Sequence, residues 1–83
     1  MMEVRFVVEH AGCPSCRERV RAALTPFGVV REIGIDGAAD TASVRAEFSL
    51  RASREAVDRT LVEASAGSGH EYRVQPGSWH TAG

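Results

Sequence analysis

The chain has 83 residues, enough for one small domain with a single hydrophobic core. Its apolar fraction of 43% is in the globular range, and a formal charge of −1 gives no net basic drive toward nucleic acid. One Trp, one Tyr and three Phe that do not interleave with basic residues argue further against a single-strand binder. All ten basic side chains are Arg, which removes lysine-based chemistry. Two cysteines are too few for the disulfide framework of a small secreted domain. The stretch Met1-Met2-Glu3-Val4-Arg5 lacks the basic segment and apolar core of a secretory leader. No apolar run approaches the ~20 residues of a membrane span. These features predict a soluble protein in a reducing, cytoplasmic compartment.

In chain order, Val4, Phe6 and Val8 alternate with Glu3, Arg5 and Glu9, the period-two pattern of a strand, although Val7 interrupts the polar face. Glu9-His10-Ala11-Gly12 forms a loop, in which Gly12 suits a tight approach of the backbone to a bound ion. A helix is predicted to start near Pro14. Cys16, Val20, Ala23, Leu24 and Phe27 follow at helical spacing, and Pro26 and Gly28 stop the helix at about Thr25. Val29 to Ile35 reads as a second strand, Asp36-Gly37 opens a hairpin turn, and a third strand turns Val44, Ala46 and Phe48 inward.

Ser53 is placed to cap a second helix from Arg54 to about Ala66, with Val57, Leu61 and Ala64 as its buried stripe. Gly67-Ser68-Gly69 ends that helix. A last strand from His70 to Val74 puts Tyr72 and Val74 on one face. Residues 1–76 make the domain, and residues 77–83, with Trp79, are read as a flexible tail. The order β-α-β-β-α-β predicts an α+β, ferredoxin-like sandwich: a four-stranded antiparallel sheet with two helices on one face.

The chemistry concentrates in Cys13-Pro14-Ser15-Cys16. Two thiols at a helix start gain from its free N–H groups and positive potential, which favour thiolate. Thiolates select Cu(I) and also bind Zn(II). A structural zinc site would need a second ligand pair, and His10, His70 and His80 are scattered. A redox dithiol of thioredoxin or glutaredoxin type competes, because its cysteines also follow a strand and open a helix. It needs a further strand entered through a proline, whereas the proline nearest the last strand, Pro76, stands after it. A purely structural role, with the cysteines as small core residues, suits Cys16 better than Cys13, since Cys16 lies on the apolar stripe.

The run Val8-Glu9-His10-Ala11-Gly12-Cys13-Pro14-Ser15-Cys16, with Val20, Ala23-Leu24 and Gly28-Val29 after it, resembles the heavy-metal-associated domain of copper chaperones and metal-pumping ATPases. The resemblance continues through Val44, Leu61 and the turn before Tyr72, and covers residues 3 to 75. It implies a non-enzymatic protein that holds one soft metal ion on Cys13 and Cys16 and passes it on by ligand exchange. Cu(I) is the expected ion, with Zn(II), Cd(II) or Hg(II) as the alternative. The family's loop carries a Met before the first Cys as a core anchor. Ala11 here is smaller, so a looser loop is expected.

The turn before the last strand carries Gly69-His70, where some family members place a His that reaches the ion. His70 is therefore the auxiliary ligand the resemblance implies, with His10 as the weaker candidate. Arg17, Arg19 and Arg21 read either as a solvated helix face or as a docking patch for an acidic partner surface. That partner would be a metal-transporting P-type ATPase or another metal-accepting protein, met by a chain that is monomeric when metal-free.

Overall fold

The computed structural model describes residues 1–82. Its long strands are β1 (Met2–Glu9), β2 (Gly28–Asp36) and β3 (Thr41–Phe48). The helices are α1 (Cys16–Leu24) and α2 (Arg54–Ser65), and two short strands follow, β4 (Arg73–Val74) and β5 (His80–Ala82). The sheet runs β2-β3-β1-β4, antiparallel throughout, with β5 also on β1. This is the ferredoxin-like α+β arrangement expected from the element order, enlarged by one strand.

Alternation explains which face of the sheet is covered. Val4, Phe6 and Val8 of β1 and Ala42, Val44, Ala46 and Phe48 of β3 are buried, while Arg5 and Ser43 are exposed. Val20 and Leu24 of α1 and Val57 and Leu61 of α2 close that face. Ser53 caps α2 as expected, its hydroxyl accepting the Ala56 N–H at 3.1 Å. The third buried position of α2 is Ser65, not Ala64, which is exposed. Steps of four residues keep 57, 61 and 65 on one helix face.

Three further details differ from the sequence reading. α1 begins at Cys16 rather than near Pro14, because residues 13–16 form a turn closed by the Cys16 N–H on the Cys13 carbonyl at 3.0 Å. The last strand starts at Arg73 rather than His70, because the Tyr72 N–H bonds Ser65 Oγ at 3.1 Å instead of joining the sheet.

Third, the expected flexible tail is built into the sheet. β5 pairs His80, Thr81 and Ala82 with Arg5, Val4 and Glu3. β4 and β5 share the outer edge of β1, and segment 75–79 bulges out opposite Phe6 and Val7. The Gln75 N–H bonds the Val7 carbonyl at 2.8 Å, and Ser78 Oγ accepts the Val7 N–H at 3.0 Å. A side chain thus replaces backbone in the ladder. Trp79 lies on Phe6, ring centroids 5.2 Å apart, which anchors the added strand. Trp79→Ala should therefore lower stability by about 1–3 kcal/mol. Chemical denaturation, with loss of amide protection in residues 80–82, checks this.

Asp58 of α2 ties β4 to the helix layer. Its Oδ1 accepts the Val74 N–H at 2.8 Å and the Arg73 Nε–H at 3.2 Å, and its Oδ2 lies 3.0 Å from the second Arg73 nitrogen. Burial pushes the Asp58 carboxyl up, but the hydrogen bonds from Arg73 and Val74 and the nearby guanidinium charges outweigh it and hold the carboxyl below its ordinary value. A lowered folded-state pKa means the ionised form favours the fold. That stabilisation is complete above the unfolded carboxyl value of about 3.9 and is lost as pH falls through the lowered folded value. Asp58→Asn should flatten the acid limb of a stability–pH curve below about pH 4 and leave the slope above it unchanged, as read by denaturation at stepped pH.

Candidate metal centre

Three loops meet at the end of the sheet where β1 finishes: residues 10–15, the β2–β3 turn at 37–40, and residues 66–72 before β4. The first carries the cysteine pair. Cys16 opens α1 and is 0% exposed, packed in the core with Val20 and Leu24. Cys13 is half-buried and packs against the core margin. The sulfurs are joined in a disulfide, so this is the oxidised form of the pair. Metal binding requires its reduction first, since the ligand is thiolate.

His70 comes to the same place from the other side. Its Nε2 lies 3.8 Å from Cys13 Sγ. The donor atoms of Cys13, Cys16 and His70 all fall within 4.8 Å of one another, the one such grouping of three among the described residues. A serine relay shapes the loop that delivers His70. Ser65 Oγ donates to the Val62 carbonyl, Ser68 Oγ donates to the Ser65 carbonyl at 2.6 Å, and the His70 N–H bonds Ser68 Oγ at 3.2 Å. Gly67 and Gly69, at φ 76° and 85°, provide the reversals that the relay needs.

The other sequence candidates fall outside this grouping. His10 is exposed, and its Nδ1 faces Asp40 Oδ2 at 3.9 Å. A hollow of about 380 Å³ lined by His10, Asp40, Gly69, His70 and Glu71 lies beside the centre. His80 is in β5 opposite Arg5, toward the other end of β1. Arg17 and Arg19 are exposed on α1 and have no ion pair among the described residues. Arg21 is half-buried and directs its guanidinium to the Val30 carbonyl at 3.5 Å, which separates it from the other two.

The loop is tied down, contrary to the expectation of looseness. Ala11 is fully buried, and its N–H donates to the Asp40 carbonyl at 3.1 Å. The Gly12 N–H donates to Asp40 Oδ1 at 3.0 Å. The packing of the turn requires glycine at position 12. A Cβ there would lie 2.5 Å from Asp40 Cα and 2.8 Å from the Asp36 carbonyl oxygen. Sequence reading missed Asp40, since a contact across 28 positions between two loops leaves no periodic trace.

No protein-family model and no curated protein sequence matches the chain. Solved structures do. Oxidised MerP from Ralstonia metallidurans CH34 is similar over 88% of this chain and 97% of that one, at 13% identity and a TM-score of 0.55. A second structure, described under crosstalk between Cu(I) and Zn(II) homeostasis, is similar over 84% of this chain and 96% of its own, at 18% identity and a TM-score of 0.53. At these identities the likeness is one of fold.

Gly12→Ala should cost about 1–3 kcal/mol through overpacking against the turn. Gly34→Ala, where a Cβ meets nothing within 4 Å, should stay within about 0.5 kcal/mol of wild type. Urea unfolding of the oxidised protein compares the two.

Proposed function

We propose that the reduced protein binds one soft metal ion, Cu(I) foremost, through Cys13 and Cys16 with His70 as third ligand, and hands it to a partner rather than catalysing a reaction. The observation that carries this reading is the convergence of two sulfurs and an imidazole nitrogen within 4.8 Å at the loop end of the fold. The likeness to MerP and to a structure described in terms of Cu(I) and Zn(II) homeostasis supports it.

A thiol donor first reduces the disulfide with two electrons and two protons, giving two thiols. On metal binding their protons pass to solvent, helped by the N–H groups at the start of α1. Two thiolates and one imidazole suit an ion content with two or three soft ligands, which describes Cu(I). A divalent ion is the second reading. The same three donors match the three protein ligands of an open zinc site, with a fourth position left for water or an incoming ligand.

Burial makes the two sulfurs unequal. Cys16 belongs to the core, while Cys13 is reachable. Exchange therefore begins at Cys13, where a partner's thiolate adds before the Cys16 bond is released. Arg17 and Arg19, exposed in the first turns of α1, suit an acidic docking face on a metal-transporting ATPase or another acceptor. Arg21 contributes less, because it is engaged by β2. The proposed setting is the cytoplasm, where thiols stay reduced, with a monomer in the metal-free state.

Anaerobic titration of the reduced protein with Cu(I) and Zn(II) against a competing chelator tests the reading. Cys13→Ser and Cys16→Ser should each abolish stoichiometric binding. His70→Ala should weaken Cu(I) binding by about tenfold, or ~1.4 kcal/mol, and remove the nitrogen scatterer from the X-ray absorption spectrum. Rapid turnover of model disulfides with no stoichiometric metal would instead favour a thiol–disulfide oxidoreductase.

A further inference from the structure

We infer that Asp40, in the β2–β3 turn, is the positioning residue for the Cys13 side of the site. This rests on the metal-binding reading above for its purpose, but not for its geometry. The residues leading into Cys13 are all addressed by this one side chain and its own backbone. Ala11 donates to its carbonyl at 3.1 Å, Gly12 donates to its Oδ1 at 3.0 Å, and His10 Nδ1 stands 3.9 Å from its Oδ2. From the His70 side the contact with Cys13 is sulfur to imidazole at 3.8 Å.

The fit between turn and loop is tight. Gly12 has no room for a Cβ because Asp40 Cα and the Asp36 carbonyl occupy that space. Asp40 holds a left-handed backbone, φ 55°, which Asp and Asn tolerate better than most residues. Asp36 Oδ1 fixes the start of the same turn by accepting the Ala39 N–H at 3.1 Å. Ala11 has too small a side chain to anchor the loop by packing alone. Hydrogen bonds to a neighbouring turn supply the anchor instead.

The two halves of the site are therefore supported separately. Ser65 and Ser68 set the place of His70, and Asp40 sets the place of Cys13. The Asp40 side chain is 57% exposed, so exchanging it leaves the core untouched.

Two variants separate its hydrogen bond from its backbone. Asp40→Gly accepts the left-handed conformation and deletes the carboxylate. Asp40→Asn keeps an acceptor oxygen and the conformation but drops the charge. Three quantities are read on each: amide exchange at Ala11 and Gly12 in the metal-free protein, the Cys13–Cys16 dithiol–disulfide equilibrium in a thiol redox buffer, and Cu(I) affinity by chelator competition.

Asp40→Gly should speed Gly12 amide exchange at least tenfold and make the disulfide about threefold easier to reduce. It should also weaken Cu(I) by about 10–100-fold, the usual loss when a ligand's support is removed. Asp40→Asn should stay within about threefold of wild type in all three. Asp40→Gly with wild-type redox equilibrium, or Asp40→Asn as impaired as Asp40→Gly, overturns the assignment. Wild-type protein that binds no Cu(I) while the first two readouts behave as expected would overturn the metal reading and leave the positioning role standing.

Discussion

The site depends on one contact, the press of the β2–β3 turn against the loop that leads into Cys13. Both partners adopt backbone conformations that other arrangements would avoid: His10 at φ 62° and Asp40 at φ 55°. Left-handed backbone costs a non-glycine residue about 1–2 kcal/mol. The two hydrogen bonds from Ala11 and Gly12 return about 1 kcal/mol each, and the burial of Ala11 adds to that. The conformation is stable only while turn and loop are in contact. A local opening would release the strain and the bonds together, so the two loops behave as one unit.

Around that contact the fold divides its work. The sheet and helices bury one apolar face and fix Cys16 through the packing of α1. Cys13 and His70 are held by hydrogen-bonded loops instead. A rigid sulfur thus faces two side chains, those of Cys13 and His70, whose positions are set by polar contacts. Tyr72, two residues after His70, is fully buried, and its hydroxyl has no hydrogen-bond partner among the described residues. Its ring serves packing beneath the site, with centroids 5.8 Å from His70.

Much of this was legible in the residues. The alternation of Val4, Phe6 and Val8, the Ser53 cap and the Asp36-Gly37 turn marked their elements because each signal is local. The cysteine pair and His70 stood out by type, and the structure brings them together. What was not legible is long-range or small. Asp40 acts across the chain on backbone groups that every residue possesses. β5 has only three residues, all exposed, so no alternation announces it, and it exists because Ser78 and Trp79 attach it to Val7 and Phe6. The start of α1 was misread because Pro14 fits a first helical turn and a tight turn equally well. Ser65 was passed over for Ala64 because a buried serine looks polar until its two hydrogen bonds are known.

The pairing of β5 with the start of β1 has a consequence for how this domain joins other things. Glu3 and Ala82 are side by side, so both ends of the described chain leave the fold at one place. That place is the far end of β1 from the cysteine loop, roughly 25 Å away at the usual rise of a strand. A label, a surface tether or a neighbouring domain attached at either end would leave the approach to Cys13 unobstructed. Two such domains linked in tandem would keep their cysteine loops free of each other.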